Sequence, residues 1–188
     1  MATFYVSDTT GVDTDSGATP ALAKKSLASV MTGSSITDGD TIEILDEATY
    51  SEYNITIDIP NLTITHTASQ LGRPKVDAQG EDYMWDHQTS GTTFNNIEML
   101  GAANSIIKRG SYPDYGAHGQ FHITDCFVHG SKFFYQYVIT GNADNKTSFE
   151  DSVLYFEDAG GAQAGWTPLR TLLAFAPLLV ETIVAANR

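Results

Sequence analysis

The sequence holds a single cysteine, Cys126, among 188 residues, so no intramolecular disulfide can form. A lone thiol without a positioned His and a third group gives no nucleophile signal. Positive charge is scarce too: 10 Lys and Arg stand against 23 Asp and Glu, for a net charge of -13. A chain this acidic is repelled by nucleic acid and by anionic membrane. It also has few cations from which to build a groove for an acidic polymer. Long apolar runs are missing. The uncharged core of the C-terminal apolar segment, Thr171 to Val180, is ten residues long and is interrupted by Pro177. A membrane span needs about 20. The opening residues, Met1 to Val6, carry neither a basic patch nor an apolar run. No signal peptide is expected, and synthesis and assembly in a cytoplasm are.

What is present is an ordinary globular composition, 41% hydrophobic and 18% charged. It is enough for one domain with a real core. One short phrase occurs three times. Phe94, Asn96 and Met99 line up with Ile123, Asp125 and Val128, and again with Phe149, Asp151 and Leu154. The copies start 29 and then 26 residues apart, a spacing typical of repeat architectures. Each copy reads as a short strand, a polar corner and a second short strand. Asn and Asp suit the corner because they tolerate the left-handed conformation and bond their own backbone. Such a cycle is one coil of a parallel solenoid, whose stacked coils bury an interior that no single coil could. Cys126 falls where the other copies carry Ile97 and Ser152, which predicts a buried small residue.

Along the chain, residues 3–7 predict a first strand. Asp8, Asp13 and Asp15 lie in a loop of turn formers. They leave two readings open, a calcium loop and an Asx-turn loop, and the spacing does not meet an EF-hand. Residues 21–32 predict a helix with Leu22, Leu27, Val30 and Met31 near one face, stopped by Gly33 and suited to covering the end of a solenoid core. Strands are expected over 41–45, 54–59 and 62–66, with a turn over 47–50 and a corner at Pro60.

These N-terminal residues carry a resemblance. Phe4 to Ser7, Gly11 to Asp13, Ser16 and Gly17, the helix, Gly39 to Ile42, Thr49 to Glu52, Ile55, and Asn61 to Ile64 look like the opening of pectate-lyase-like right-handed parallel β-helix proteins. The match covers about residues 3–66. It implies an all-β, single-stranded right-handed parallel β-helix over 1–159 with an N-terminal cap helix. It implies no one activity. That superfamily holds polysaccharide lyases and hydrolases, and also catalytically silent phage tailspikes, virion decoration proteins and adhesins.

Candidate chemistry is thin. Lys108 and Arg109 are adjacent, with Arg73 and Lys75 elsewhere, but neighbours on a strand point to opposite faces. Asp125 and Asp151 would stand on neighbouring rungs about 4.8 Å apart, as an acid pair or as a corner ladder, since Asn96 holds the same place. His118, His122 and His129 match no metal spacing. No catalytic residue, cofactor or resident metal is assigned.

After a Gly-rich link, residues 160–188 predict a C-terminal helix capped by Thr167 and Pro168. Leu169, Leu172, Leu173, Phe175, Leu179, Val180, Ile183 and Val184 form its apolar stripe. A helix this apolar must be buried, on the last coil, against a partner or at a membrane surface, the last disfavoured because the helix lacks a Lys- and Arg-rich polar face. The expectation is a non-enzymatic virion-type structural protein, a capsid decoration or tail component assembled in a host cytoplasm. It would dock to copies of itself, a trimer among the options, or to a larger particle through that stripe. The alternative is a carbohydrate-active protein, lyase, hydrolase or glycan-binding module, for which fold analogy is the only support.

Overall fold

In the computed structural model the regular structure of the described residues is mostly strand in parallel sheets, with little helix. The structure describes residues 1–67, 72–89, 91–109, 121–130, 134–136, 147–150, 152–156 and 173–174. β1 (Thr3–Val6) and α1 (Leu27–Gly33) come first. β2 (Thr41–Ile44), β3 (Thr49–Ser51) and β4 (Ile55–Ile57) follow, then β5 (Thr63–Thr65), β6 (Lys75–Asp77) and β7 (Tyr83–His87). Next are β8 (Thr92–Asn95), β9 (Glu98–Leu100) and β10 (Ser105–Arg109), then β11 (Phe121–Thr124), β12 (Phe127–Gly130) and β13 (Phe134–Gln136). β14 (Thr147–Glu150), β15 (Val153–Phe156) and β16 (Leu173–Ala174) end the described chain.

From β2 to β13 each successive group of three strands visits three sheets in rotation. The first sheet runs β1-β2-β5-β8-β11-β14, the second β3-β6-β9-β12-β15-β16, and the third β4-β7-β10-β13. All pairings are parallel except β15 with β16. Because successive side chains along a strand point to opposite faces, the parallel register stacks like upon like. Ile42, Ile64, Phe94 and Ile123 are consecutive partners in the first sheet, and all are fully buried. Tyr50, Val76, Met99 and Val128 do the same in the second, as do Ile55, Trp85 and Ile107 in the third. Trp85 and Phe94 meet with ring centroids 5.1 Å apart, and the Trp85 indole N–H points at Met99 Sδ, 3.3 Å away.

The three copies of the repeated phrase align in this register, Phe94 with Ile123 with Phe149 and Met99 with Val128 with Leu154. Asn96 and Asp125 take the left-handed conformation expected of them, with φ of 56° and 51°. Asp151 lies outside the described residues. Ile97, Cys126 and Ser152 are buried beside these corners, and Cys126 N–H donates to Ser152 Oγ at 3.1 Å.

Three expectations are corrected. The helix expected over 21–32 is shorter. Pro20–Leu22 is one turn of 3-10 helix, and α1 begins after Ser26, whose hydroxyl accepts from Ser29 N–H. Residues between them are held extended by β1, since Lys24 N–H donates to Tyr5 O and Ser7 N–H to Lys24 O. Leu22 is therefore 46% exposed, while Leu27 and Val30 are buried and α1 packs on β1 and β4. The second half of the turn expected over 47–50 is instead strand, with Thr49 and Tyr50 in β3, because Tyr50 packs inward above Val76. Of the C-terminal helix, Leu173–Ala174 alone is described. There the backbone is a strand pairing antiparallel with β15, Leu154 opposite Leu173, which covers an edge that would otherwise be open. Leu169, Leu172, Phe175, Leu179, Val180, Ile183, Val184 and the link at 160–165 lie outside the described residues.

Candidate functional site

The outer face of the second sheet carries a group of charged and aromatic side chains. Register places Thr49, Lys75, Glu98 and Phe127 in one outward column. Two residues earlier on the same rungs stand Glu47, Arg73, Asn96 and Asp125. Glu47, Gly72, Arg73, Lys75, Glu98 and Phe127 line an open groove of about 470 Å³. The Glu47 carboxylate lies so close to Gly72 that a β-carbon there would strike it.

Charges in this group are mostly matched across rungs. Arg73 donates from Nε to Asn96 Oδ1 at 3.2 Å and from Nη2 to Asp125 Oδ1. Asn96 in turn donates to the carbonyl of His66 at 2.9 Å. Lys75 Nζ is 3.5 Å from Glu98 Oε2. On the third sheet Lys108 Nζ sits 3.4 Å from Asp86 Oδ2 and 5.4 Å from the Tyr83 ring centroid. Arg109 shares β10 with Lys108, and its side chain lies outside the described residues. Beneath the corner, burial pushes the Cys126 thiol up to about 11, against the pull of the Arg73 charge. A thiol held there is inert at neutral pH.

The other sequence candidates are not brought together. Asp125 serves the corner ladder through Arg73, and Asp151 and His118 lie outside the described residues. His122 and His129 stand on different sheets. Among the described residues no group of three or more His, Cys, Asp and Glu is arranged to hold a metal ion. Asp8, Asp13 and Asp15 belong to that set. Asp13 Oδ1 instead accepts from the N–H groups of Lys25 and Ser26, both at 3.0 Å, and from the Ser26 hydroxyl. No helix among the described residues is long and apolar enough to cross a membrane.

Sequence reasoning missed a second polar cluster at the N-terminal end. Asp46 accepts from Ser7 Oγ at 2.7 Å, Thr9 N–H at 3.0 Å, Thr9 Oγ1 at 2.8 Å and Tyr50 OH at 2.6 Å. Burial works to raise its carboxyl, but Tyr50, Thr9 and Ser7 together outweigh that and hold it below the usual range. Glu52 accepts from the first helical amides, Leu27 and Ala28 N–H, both at 2.8 Å. There burial wins over the two amides, and Asp13 and Asp8 add to it, so its carboxyl is raised. Tyr50 lies 4 residues from Asp46, but the Ser7, Thr9, Leu27 and Ala28 donors are 24 to 39 residues from the carboxylates that they serve, so neither cluster has a local sequence signal. Arg73 and Lys75 were visible only as scattered cations.

No family model and no curated protein matches the chain. Among solved structures, a GH136 lacto-N-biosidase from Eubacterium ramulus is similar, with a TM-score of 0.48 and 15% identity. The likeness covers 82% of this chain and 30% of that one, so the chain spans under a third of that enzyme's length.

Proposed function

We propose that the chain is a right-handed parallel β-helix of the pectate-lyase-like kind, acting as a non-enzymatic structural protein. In this reading it is a virion-type part, a capsid decoration or tail component. The apolar residues of its C-terminal segment dock it to copies of itself or to a larger particle. The rotation of the chain through three parallel sheets supports the solenoid, and the resemblance at residues 3–66 supports the family and its virion members.

One observation carries the non-enzymatic reading. Arg73, Lys75 and Lys108, three of the four cations that an acid-polymer lyase would turn toward its substrate, each face a carboxylate on another rung of the same chain. They cross-link the stack. A lyase base needs a deprotonatable side chain within reach of substrate, and these three are engaged in ion pairs.

Removing residues 166–188 tests the docking. The full chain is expected to be oligomeric by light scattering and the shortened chain to fall to the monomer mass. An unchanged mass would end the docking idea. Release of unsaturated or reducing sugar from a polysaccharide panel would favour the carbohydrate-active alternative.

A further inference from the structure

We propose that the bond between Met1 and Ala2 is a processing site, and that its hydrolysis by a peptidase completes a buried ion pair between the new α-ammonium of Ala2 and the carboxylate of Asp40. The site goes beyond the assembly reading and does not rest on it.

Asp40 stands just before β2 and is 2% exposed. Its Oδ2 accepts from Thr37 N–H and from Thr37 Oγ1, both at 2.9 Å. Its Oδ1 accepts from Ala2 N–H at 2.5 Å. The N–H groups of Ala2 and Thr37 hold the carboxyl below its usual range. Among the described residues no side-chain cation pairs with it. Buried charges are ordinarily paired, and this one is met at hydrogen-bond distance by neutral donors alone. An ammonium on Met1 stands 3.9 Å from Oδ1, too far for a hydrogen bond.

The backbone holds the Ala2 nitrogen on target. Thr41 N–H donates to Ala2 O at 2.9 Å, and Thr3 pairs with Thr41 where β1 joins β2. Met1 is fully exposed. Hydrolysis adds one water across the Met1–Ala2 amide: the carboxylate leaves with Met1, and the nitrogen stays on Ala2 as an ammonium. The atom that donates a neutral hydrogen bond to Asp40 then donates a charge-assisted one, a kind that is roughly twice as strong. The small side chain of Ala2 suits the narrow pocket in which a methionine-removing aminopeptidase holds the second residue. Asp40 lies 38 positions later, so a peptidase acting on the nascent chain meets the bond free, and folding closes the latch afterwards. The chemistry at Ala2 is the same whether or not further residues precede Met1.

Three forms of the full chain test this: one starting at a free Ala2, one with Ala2 N-acetylated, and one keeping Met1. Acetylation keeps a neutral N–H and removes the charge. At pH 7 the free Ala2 form is expected to melt roughly 2–4 °C above the acetylated form, with the Met1 form also below it. The gap should shrink as pH rises past the ordinary α-amino range of about 7.7–8.0, because an ammonium paired in the folded chain contributes fully below its unfolded value and is lost as it deprotonates. Asp40 and Thr37 are the groups that meet at this point, and the neighbouring Asp38 carboxylate is exposed and accepts from Asn61 Nδ2 at 2.8 Å. Asp40→Asn should remove the gap at pH 7. If that variant does not fold, the acetylated form and the pH series still decide. Mass spectrometry of the chain expressed from Met1 in a bacterial host should show Met1 removed. Retention of Met1, equal melting of the free and acetylated forms at pH 7, or a gap that does not shrink with pH would each overturn the proposal.

Discussion

Arg73 holds Asp125, a residue 52 positions further along the chain and two rungs away, and holds Asn96 on the rung between. One side chain thus ties together the segments leading into β6, β9 and β12, two of which turn left-handed there. Both partners are partly exposed, with side chains 37% and 49% accessible, so solvent screening limits the contribution to about 1 kcal/mol or less. Arg73→Ala is expected to lower Tm by roughly 2–4 °C on that basis. Arg73→Lys should recover only part of it, because an ammonium cannot fork onto Asn96 and Asp125 together. A double-mutant cycle with Asp125→Ala would give the coupling directly. No coupling would mean that the two groups are neighbours without being partners.

The interior columns carry far more of the stability. Phe94 is fully buried between Ile64 and Ile123 and against Trp85. Phe94→Ala should cost about 3–5 kcal/mol, the range for emptying an aromatic site in a core. Chemical denaturation would read this as a lower midpoint with an unchanged slope. The outward neighbour Thr93→Ala, on the same strand, should move the midpoint little. Equal effects at the two positions would contradict the alternation of inward and outward residues.

Corners are the third test. Gly101 has φ of 80°, and a β-carbon there would strike Asp77 Oδ1 on the preceding rung. Gly101→Ala therefore meets both a strained backbone, costing about 1–2 kcal/mol, and a clash. Thermal melts should show a loss larger than at Gly80, where nothing would stand near the added carbon although φ is also positive.

These contrasts show which parts of the molecule were legible beforehand. Phe94 and Ile123 could be aligned by eye because the interior column demands an apolar residue at both, and Asn96 and Asp125 because the corner demands a left-handed one. The rung that begins at Arg73 lacks the phrase, so its place in the stack was hidden, and with it the Arg73 clamp and the groove. The cap helix was drawn too long because residues 21–25 have helical composition. Tertiary bonds from β1 override it at Lys24. The role of Asp13 as a cap at Ser26, and that of Asp46 as the anchor of the Ser7 loop, depend on chain segments that meet only after folding.

Acid should loosen the N-terminal end first. Asp46 and Asp13 are both held below the usual carboxylate range. In each case burial works the other way and is outweighed by donors, Tyr50, Thr9 and Ser7 for Asp46 and Ser29, Ser26 and Lys25 for Asp13. A depressed carboxyl contributes stability that is complete above its unfolded value of about 3.9 and is lost as pH falls through the folded value. Glu52 has the opposite sign. Its carboxyl is raised, chiefly by burial, so protonation relieves a penalty in the folded chain, and the native state gains from acid until the unfolded value is passed. The expected profile is little change, or a slight rise in Tm, on going from neutral pH toward about 4.3, the unfolded Glu value, then a fall below about 3.9. Asp46→Asn should flatten the low-pH fall, and Glu52→Gln should remove any rise. Hydrogen exchange should place the acid-sensitive amides at Thr9, Lys25 and Ser26, which donate to these carboxylates. A uniform loss of protection across all three sheets at the same pH would instead mean that the N-terminal end and the sheets unfold as one unit.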